Sequence, residues 1–126
     1  MIAELRAVAL DCPDPRALAE FYAAVTGGRV MVDPEDSDWV EVRDHKGTVL
    51  ACQKAEGHVP PRWPDPAHSQ QLHLDFRVDS FEEAEPQVLA LGATLLERTD
   101  EKRPDANWRV YADPAGHPFC LVVAPH

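Results

Sequence analysis

His73, Asp75 and Arg77, spaced two residues apart, are the part of this chain best equipped for chemistry. In an extended strand side chains alternate, so all three project from one face, with i, i+2 neighbours about 7 Å apart at Cα. A carboxylate that close, directly or through water, favours the protonated imidazole and fixes its tautomer, which makes His73 a general acid or base with Asp75 as its orienting partner. The plainer alternative is a polar network in which the three residues only satisfy one another. Cys120 belongs to the same set if Phe119 and Leu121 face the core. Its thiol is a nucleophile only where something such as a protonated His73 lowers its pKa, and an inert buried cysteine is the competing expectation.

A duplicated framework positions these residues. The stretch Ala7 to Ala51 is echoed by His73 to Cys120, at offsets of 73 − 7 = 66 and 120 − 51 = 69 residues. Each copy reads as a strand, a helix and three further strands, a repeat that implies paired surfaces around a cavity. In the first, strands are expected near 3–11, 29–32, 38–43 and 48–54, with Asp14-Pro15 opening a helix whose stripe is Leu18, Phe21, Tyr22 and Val25. Gly27-Gly28 ends that helix. In the second copy the strands fall near 71–78, 93–97, 107–112 and 118–124, with a helix over 81–91. Pro86 inside that helix predicts a kink, or a regular part that begins at Pro86. Leu72, Leu74, Phe76 and Val78 are assigned to the helix-covered face of the fifth strand, leaving His73, Asp75 and Arg77 on the other. The repeat then sets Ala7, Ala9 and Asp11 on the matching wall, where Asp11 is a ligand-binding residue or the partner of Arg77.

Between the copies, Val59-Pro60-Pro61-Arg62-Trp63-Pro64-Asp65-Pro66 denies helix and sheet their donors, so 55–69 reads as a connection. Trp63 on it is placed to lid a ligand or to pack against a partner subunit. Charged Thr99 to Asn107 reads as a mobile loop, and Trp39 and Trp108 as matching architectural residues.

The chain, 126 residues long and 44% hydrophobic, supports one core, so a single domain over 1–126 is expected, with modules at about 1–54 and 70–126. Twelve basic against 22 acidic residues give a net charge of −10, which opposes binding to nucleic acid or anionic lipid. No apolar run approaches a membrane span or a signal peptide, so a soluble, cytoplasmic protein is expected. Three cysteines without Cys-x-x-Cys spacing argue against a disulfide framework or a zinc knuckle.

The ordered segments, with Phe21-Tyr22 in the first helix and Asp113-Pro114-Ala115-Gly116 before the last strand, resemble the vicinal oxygen chelate superfamily, which includes glyoxalase I, extradiol dioxygenases and bleomycin-resistance proteins. Pro61-Arg62-Trp63-Pro64 followed by Gln71-Leu72-His73-Leu74-Asp75 is similar to its glyoxalase-like domain proteins. The resemblance implies an α+β fold of paired βαβββ modules, an eight-stranded cupped mixed sheet with helices on its outer face, and a homodimer. It also implies one metal ligand from each of four strands, and the matching positions here are Ala7, Ala51, His73 and Cys120. A methyl group cannot donate to a metal, so no metal ligand set and no cofactor is expected, although Gln53 beside Ala51 could lend an oxygen.

Three functions follow. The first is binding of a small organic molecule in a metal-free cavity, with His73 and Asp75 catalysing an isomerase, dehydratase or lyase step and Trp63, Arg77, Asp11, Gln53 and Cys120 binding the ligand. The second is a non-catalytic protein that sequesters a drug or toxin, as the bleomycin-resistance branch does. The third is a metal-dependent lactoylglutathione lyase or dioxygenase.

Overall fold

In a computed structural model, which describes residues 1–123, the chain forms two compact units, Met1–Val59 and Pro60–His126. Their boundary falls in the proline-rich connection. In the first unit the elements are β1 (Ala7–Cys12), α1 (Pro15–Thr26), β2 (Arg29–Asp33), β3 (Asp36–Arg43) and β4 (Val49–Lys54). The second unit carries a 3-10 turn (Pro66–His68), β5 (Leu74–Arg77), α2 (Phe81–Ala90), β6 (Thr94–Glu97), α3 (Thr99–Lys102), β7 (Trp108–Ala112) and β8 (Pro118–Val122). The eight expected strands are present, hydrogen-bonded as two four-stranded sheets of order β1-β4-β3-β2 and β5-β8-β7-β6. Each is mixed, because the first strand runs parallel to its neighbour and the other pairs are antiparallel.

α1 begins where the sequence places it. The Asp14 carboxylate accepts from the amide of Ala17 at 3.2 Å, Pro15 fills a first-turn position that needs no donor, and Gly27 closes the helix at φ +75°. The helix buries Leu18, Ala19, Phe21 and Tyr22 and lies mainly against β3 and β4. Leu10, Val40, Val42, Leu50 and Cys52, which share one face of the sheet by register, are buried with them. In the second unit Val88 of α2 and Tyr111, Phe119 and Leu121 of the sheet are buried, and the Tyr111 and Phe119 rings stack.

Several local expectations are corrected. β1 begins at Ala7 and not near residue 3, and β5 is confined to Leu74–Arg77, so Leu72 lies outside it and is 58% exposed instead of facing a helix. α2 starts at Phe81, capped by the Ser80 hydroxyl, and continues through Pro86 rather than beginning there. The stretch from Thr99 is not a mobile loop. It opens with α3, Thr99 is buried, and Asp100 takes two hydrogen bonds from the Arg109 guanidinium at 2.7 and 3.0 Å. The expected end of the last strand at residue 124 lies outside the described residues.

Candidate functional site

β5 alternates as its spacing requires: Leu74 and Phe76 are half-buried, Asp75 and Arg77 exposed. Phe76 meets Phe119 edge to face at 5.9 Å, which fixes the apolar side of the strand and leaves the acidic and basic residues on the other. In the parallel pairing of β5 with β8, Asp75 stands beside Cys120 and Arg77 beside Val122. His73, immediately before the strand, reaches back so that Nε2 lies 3.1 Å from Oδ1 of Asp75. One nitrogen, one carboxylate oxygen and one sulfur, from His73, Asp75 and Cys120, thus lie within 4.8 Å of one another.

The electrostatics assign the sulfur. Burial pushes the Cys120 thiol up to about 12, and the negative charge of Asp75 and a hydrogen bond to it add to the effect. At neutral pH Cys120 is therefore a protonated thiol beside a carboxylate, and the nucleophilic role open to it in the sequence is not supported. Asp75 is the shared acceptor of the trio. Donation from His73 Nε2–H to Asp75 selects the tautomer whose Nδ1 lone pair is available as a base.

Asp11 of β1 is paired in register with Gln53 of β4, and both are exposed on the first sheet. Trp63 is half-buried in the connection, and among the described residues no ring contact or hydrogen bond ties it to the trio. Arg77 shares the face of Asp75 one pleat along, in the row that continues through Val122 to Trp108.

The four-position metal set of the resemblance can be tested against register. Ala9 pairs with Ala51 in the first sheet as Asp75 pairs with Cys120 in the second, so the two halves correspond and the first carries methyl groups where the second carries donors. That set is incomplete, because two of its four positions, Ala7 and Ala51, offer no donor. The residues do not fit a four-strand centre.

Sequence reasoning missed a second polar cluster, on β3. Trp39, Glu41 and Arg43 alternate onto one face, and Glu41 is buried, its carboxylate accepting from Trp39 Nε1 at 2.7 Å, Arg43 Nε at 2.6 Å and Arg6 Nη2 at 3.0 Å. The period-two spacing of Trp39, Glu41 and Arg43 was the available signal. Nothing in the spacing foretold the arrival of Arg6 from the segment before β1.

The chain matches the family model described as the glyoxalase-like domain over residues 7–122. Among solved structures it resembles a glyoxalase/bleomycin resistance protein/dioxygenase family enzyme from Burkholderia phytofirmans PsJN, with TM-score 0.69 and 19% identity over 94% of this chain and 97% of that one. It is similar in fold to the fosfomycin resistance protein FosX from Mesorhizobium loti, with TM-score 0.69 and 17% identity over 99% and 94% of the two chains. It is also similar to TioX from Micromonospora sp. ML1, with TM-score 0.64 and 16% identity over 96% and 98%. None of the curated proteins matches it in sequence. A family match across nearly the whole length, on two βαβββ units with mixed sheets, makes this chain a member of the glyoxalase-like domain family within the vicinal oxygen chelate superfamily.

Proposed function

We propose that this chain binds a small, carbonyl-bearing organic molecule over the face of the second sheet that carries His73, Asp75 and Cys120, and that His73 exchanges a proton with it. The supporting observation is the 3.1 Å contact between His73 Nε2 and Asp75 Oδ1. With Nε2–H donated to Asp75, Nδ1 takes a proton from the carbon next to the carbonyl, and Asp75 offsets the charge of the imidazolium so formed. Returning that proton to another atom of the substrate is an isomerisation. Delivering it to a departing group is a dehydration or another lyase step. Cys120 positions Asp75 by donating its thiol proton to the carboxylate, and Arg77, one pleat away, is placed to hold an anionic part of the ligand.

A thermal-shift screen against carbonyl metabolites and antibiotics, followed by product analysis on the hits, tests the reading. For a turned-over hit, His73→Ala is expected to lower kcat by about 100-fold or more and Asp75→Asn by about tenfold or more. Unchanged turnover in His73→Ala would overturn the proposal. A hit recovered chemically intact, protected only by stoichiometric protein, would instead favour the sequestering role. From the family resemblance we also propose a homodimer in the cytoplasm, its assembly checked by light scattering on the purified chain.

A further inference from the structure

We infer that the first unit carries a binding pocket of its own, selective for a small planar carboxylate, built on the buried Glu41. The proposal does not depend on the role of His73. A pocket of about 350 Å³ lies over β2 and β3, with Arg6, Met31, Asp33, Trp39, Glu41 and Arg43 in its wall. That volume is at the lower end of the range of roughly 300–1,000 Å³ that holds small ligands.

Glu41 organises the pocket. Its side chain is 7% exposed, and all three of its donors come from pocket residues: the Trp39 indole and the guanidiniums of Arg6 and Arg43. These bonds, the Trp39 bond foremost, hold the carboxyl down at about 2, so Glu41 is charged at every ordinary pH and its lone pairs are spent on the wall itself. Counting Asp33, two carboxylates meet two guanidiniums, so the wall is near neutral in a chain carrying −10. Arg43 commits only Nε to Glu41, and among the described residues no hydrogen bond or ion pair occupies its two Nη groups. Asp33, the other acid in the wall, has Oδ1 turned to the Glu35 amide at 2.9 Å.

The chemistry of the ligand follows. The paired Nη groups of Arg43 form a planar fork that matches the two oxygens of a carboxylate, and Arg6 adds positive charge nearby. The indole of Trp39, held by its own hydrogen bond, and the thioether of Met31, cross-strand from Glu41, offer a flat polarisable surface for a ring. With Asp33 and Glu41 balancing the two guanidiniums of the wall, the unfilled fork of Arg43 and the ring surface, and not net charge, select the ligand. The pocket is thus shaped for an aromatic or other planar monocarboxylic acid.

The test is a titration of the full chain with benzoate, followed by amide chemical shifts, with benzyl alcohol as the uncharged control. Saturable, roughly millimolar benzoate binding is expected, with shifts centred on β2 and β3 and benzyl alcohol about tenfold or more weaker. Arg43→Met is expected to weaken benzoate about tenfold, and Arg43→Lys to fall between, since charge is kept and the fork lost. His73→Ala is expected to bind benzoate as the unaltered chain does, so this proposal and the catalytic one fail separately. Benzoate binding no better than benzyl alcohol, or equal in Arg43→Met, or abolished by His73→Ala, would overturn it.

Discussion

At neutral pH Glu41 is an ionised carboxylate surrounded by three donors, and its folded and unfolded states hold protons differently. Its folded pKa of about 2 lies below the ordinary 4.5, so the stabilisation is complete above the unfolded value and is lost as pH falls through the folded one. This corresponds to roughly 3 kcal/mol, drawn down between about pH 5 and pH 2. Chemical denaturation across that range is expected to show a shallower acid loss in Glu41→Gln than in the unaltered chain, and an equal slope in both would contradict the assignment. At this scale the sequence was informative where one strand suffices. His73, Asp75 and Arg77 were legible as one set from alternation, and the further alternation of Phe119, Cys120 and Leu121 placed the thiol on the same side. What alternation cannot supply is the state of a side chain. The protonation of Cys120 depends on its burial and on standing beside Asp75 across the β5–β8 pair, which only the fold provides.

Between elements, Arg109 of β7 ties together α2, α3 and the sheet of the second unit. It binds Asp100 of α3 at 2.7 and 3.0 Å, lies 3.3 Å from Glu85 of α2 and sits over the Phe81 ring at 4.5 Å. Glu85 also accepts from Tyr111 at 2.9 Å and from Arg98 at 3.0 Å. Burial raises the Glu85 carboxyl, but the bonds from Arg98 and Tyr111 outweigh it and the net shift is downward, so the acid is charged within the helix–sheet layer. Arg109→Met leaves Asp100 without its guanidinium partner and takes one of three partners from Glu85, and is expected to cost about 3 kcal/mol, while Tyr111→Phe is expected to cost about 1 kcal/mol, both measured by urea denaturation. This network explains why the stretch after Thr99 was misread. A run of charged residues looks solvated until the partner of each charge is known, and Asp100 of α3 finds its partner nine residues away on β7. The turn before β8 is the opposite case, since Asp-Pro-Ala-Gly announces itself: Asp113 Oδ1 accepts from the amides of Ala115 at 2.8 Å and His117 at 3.0 Å. Gly116 there has φ +91° and an added Cβ would collide with the Pro60 ring, so Gly116→Ala is expected to destabilise the chain by about 2 kcal/mol in the same assay.

For the whole molecule, duplication was the feature the sequence displayed most openly, because strand, helix and turn signals recur at nearly constant offset. The divergence between the copies is equally plain in register, where Ala9 and Ala51 pair in the first sheet as Asp75 and Cys120 pair in the second. Elemental analysis of the purified chain is expected to find less than about a tenth of an equivalent of nickel, zinc, iron or manganese. Near-stoichiometric metal that disappears in Cys120→Ala would assign an ion to the His73, Asp75 and Cys120 trio and favour the metal-dependent alternative. The net charge of −10 predicts no retention on immobilised DNA at moderate salt, where a basic domain of this size would bind. Among the described residues no helix is long and apolar enough to cross a membrane.

Cys12, Cys52 and Cys120 are all buried, and none of them is in a disulfide. A colorimetric thiol reagent should therefore count almost none in the native chain and all three in denaturant, and weeks of storage in air without reductant should leave no cross-linked species on a non-reducing gel.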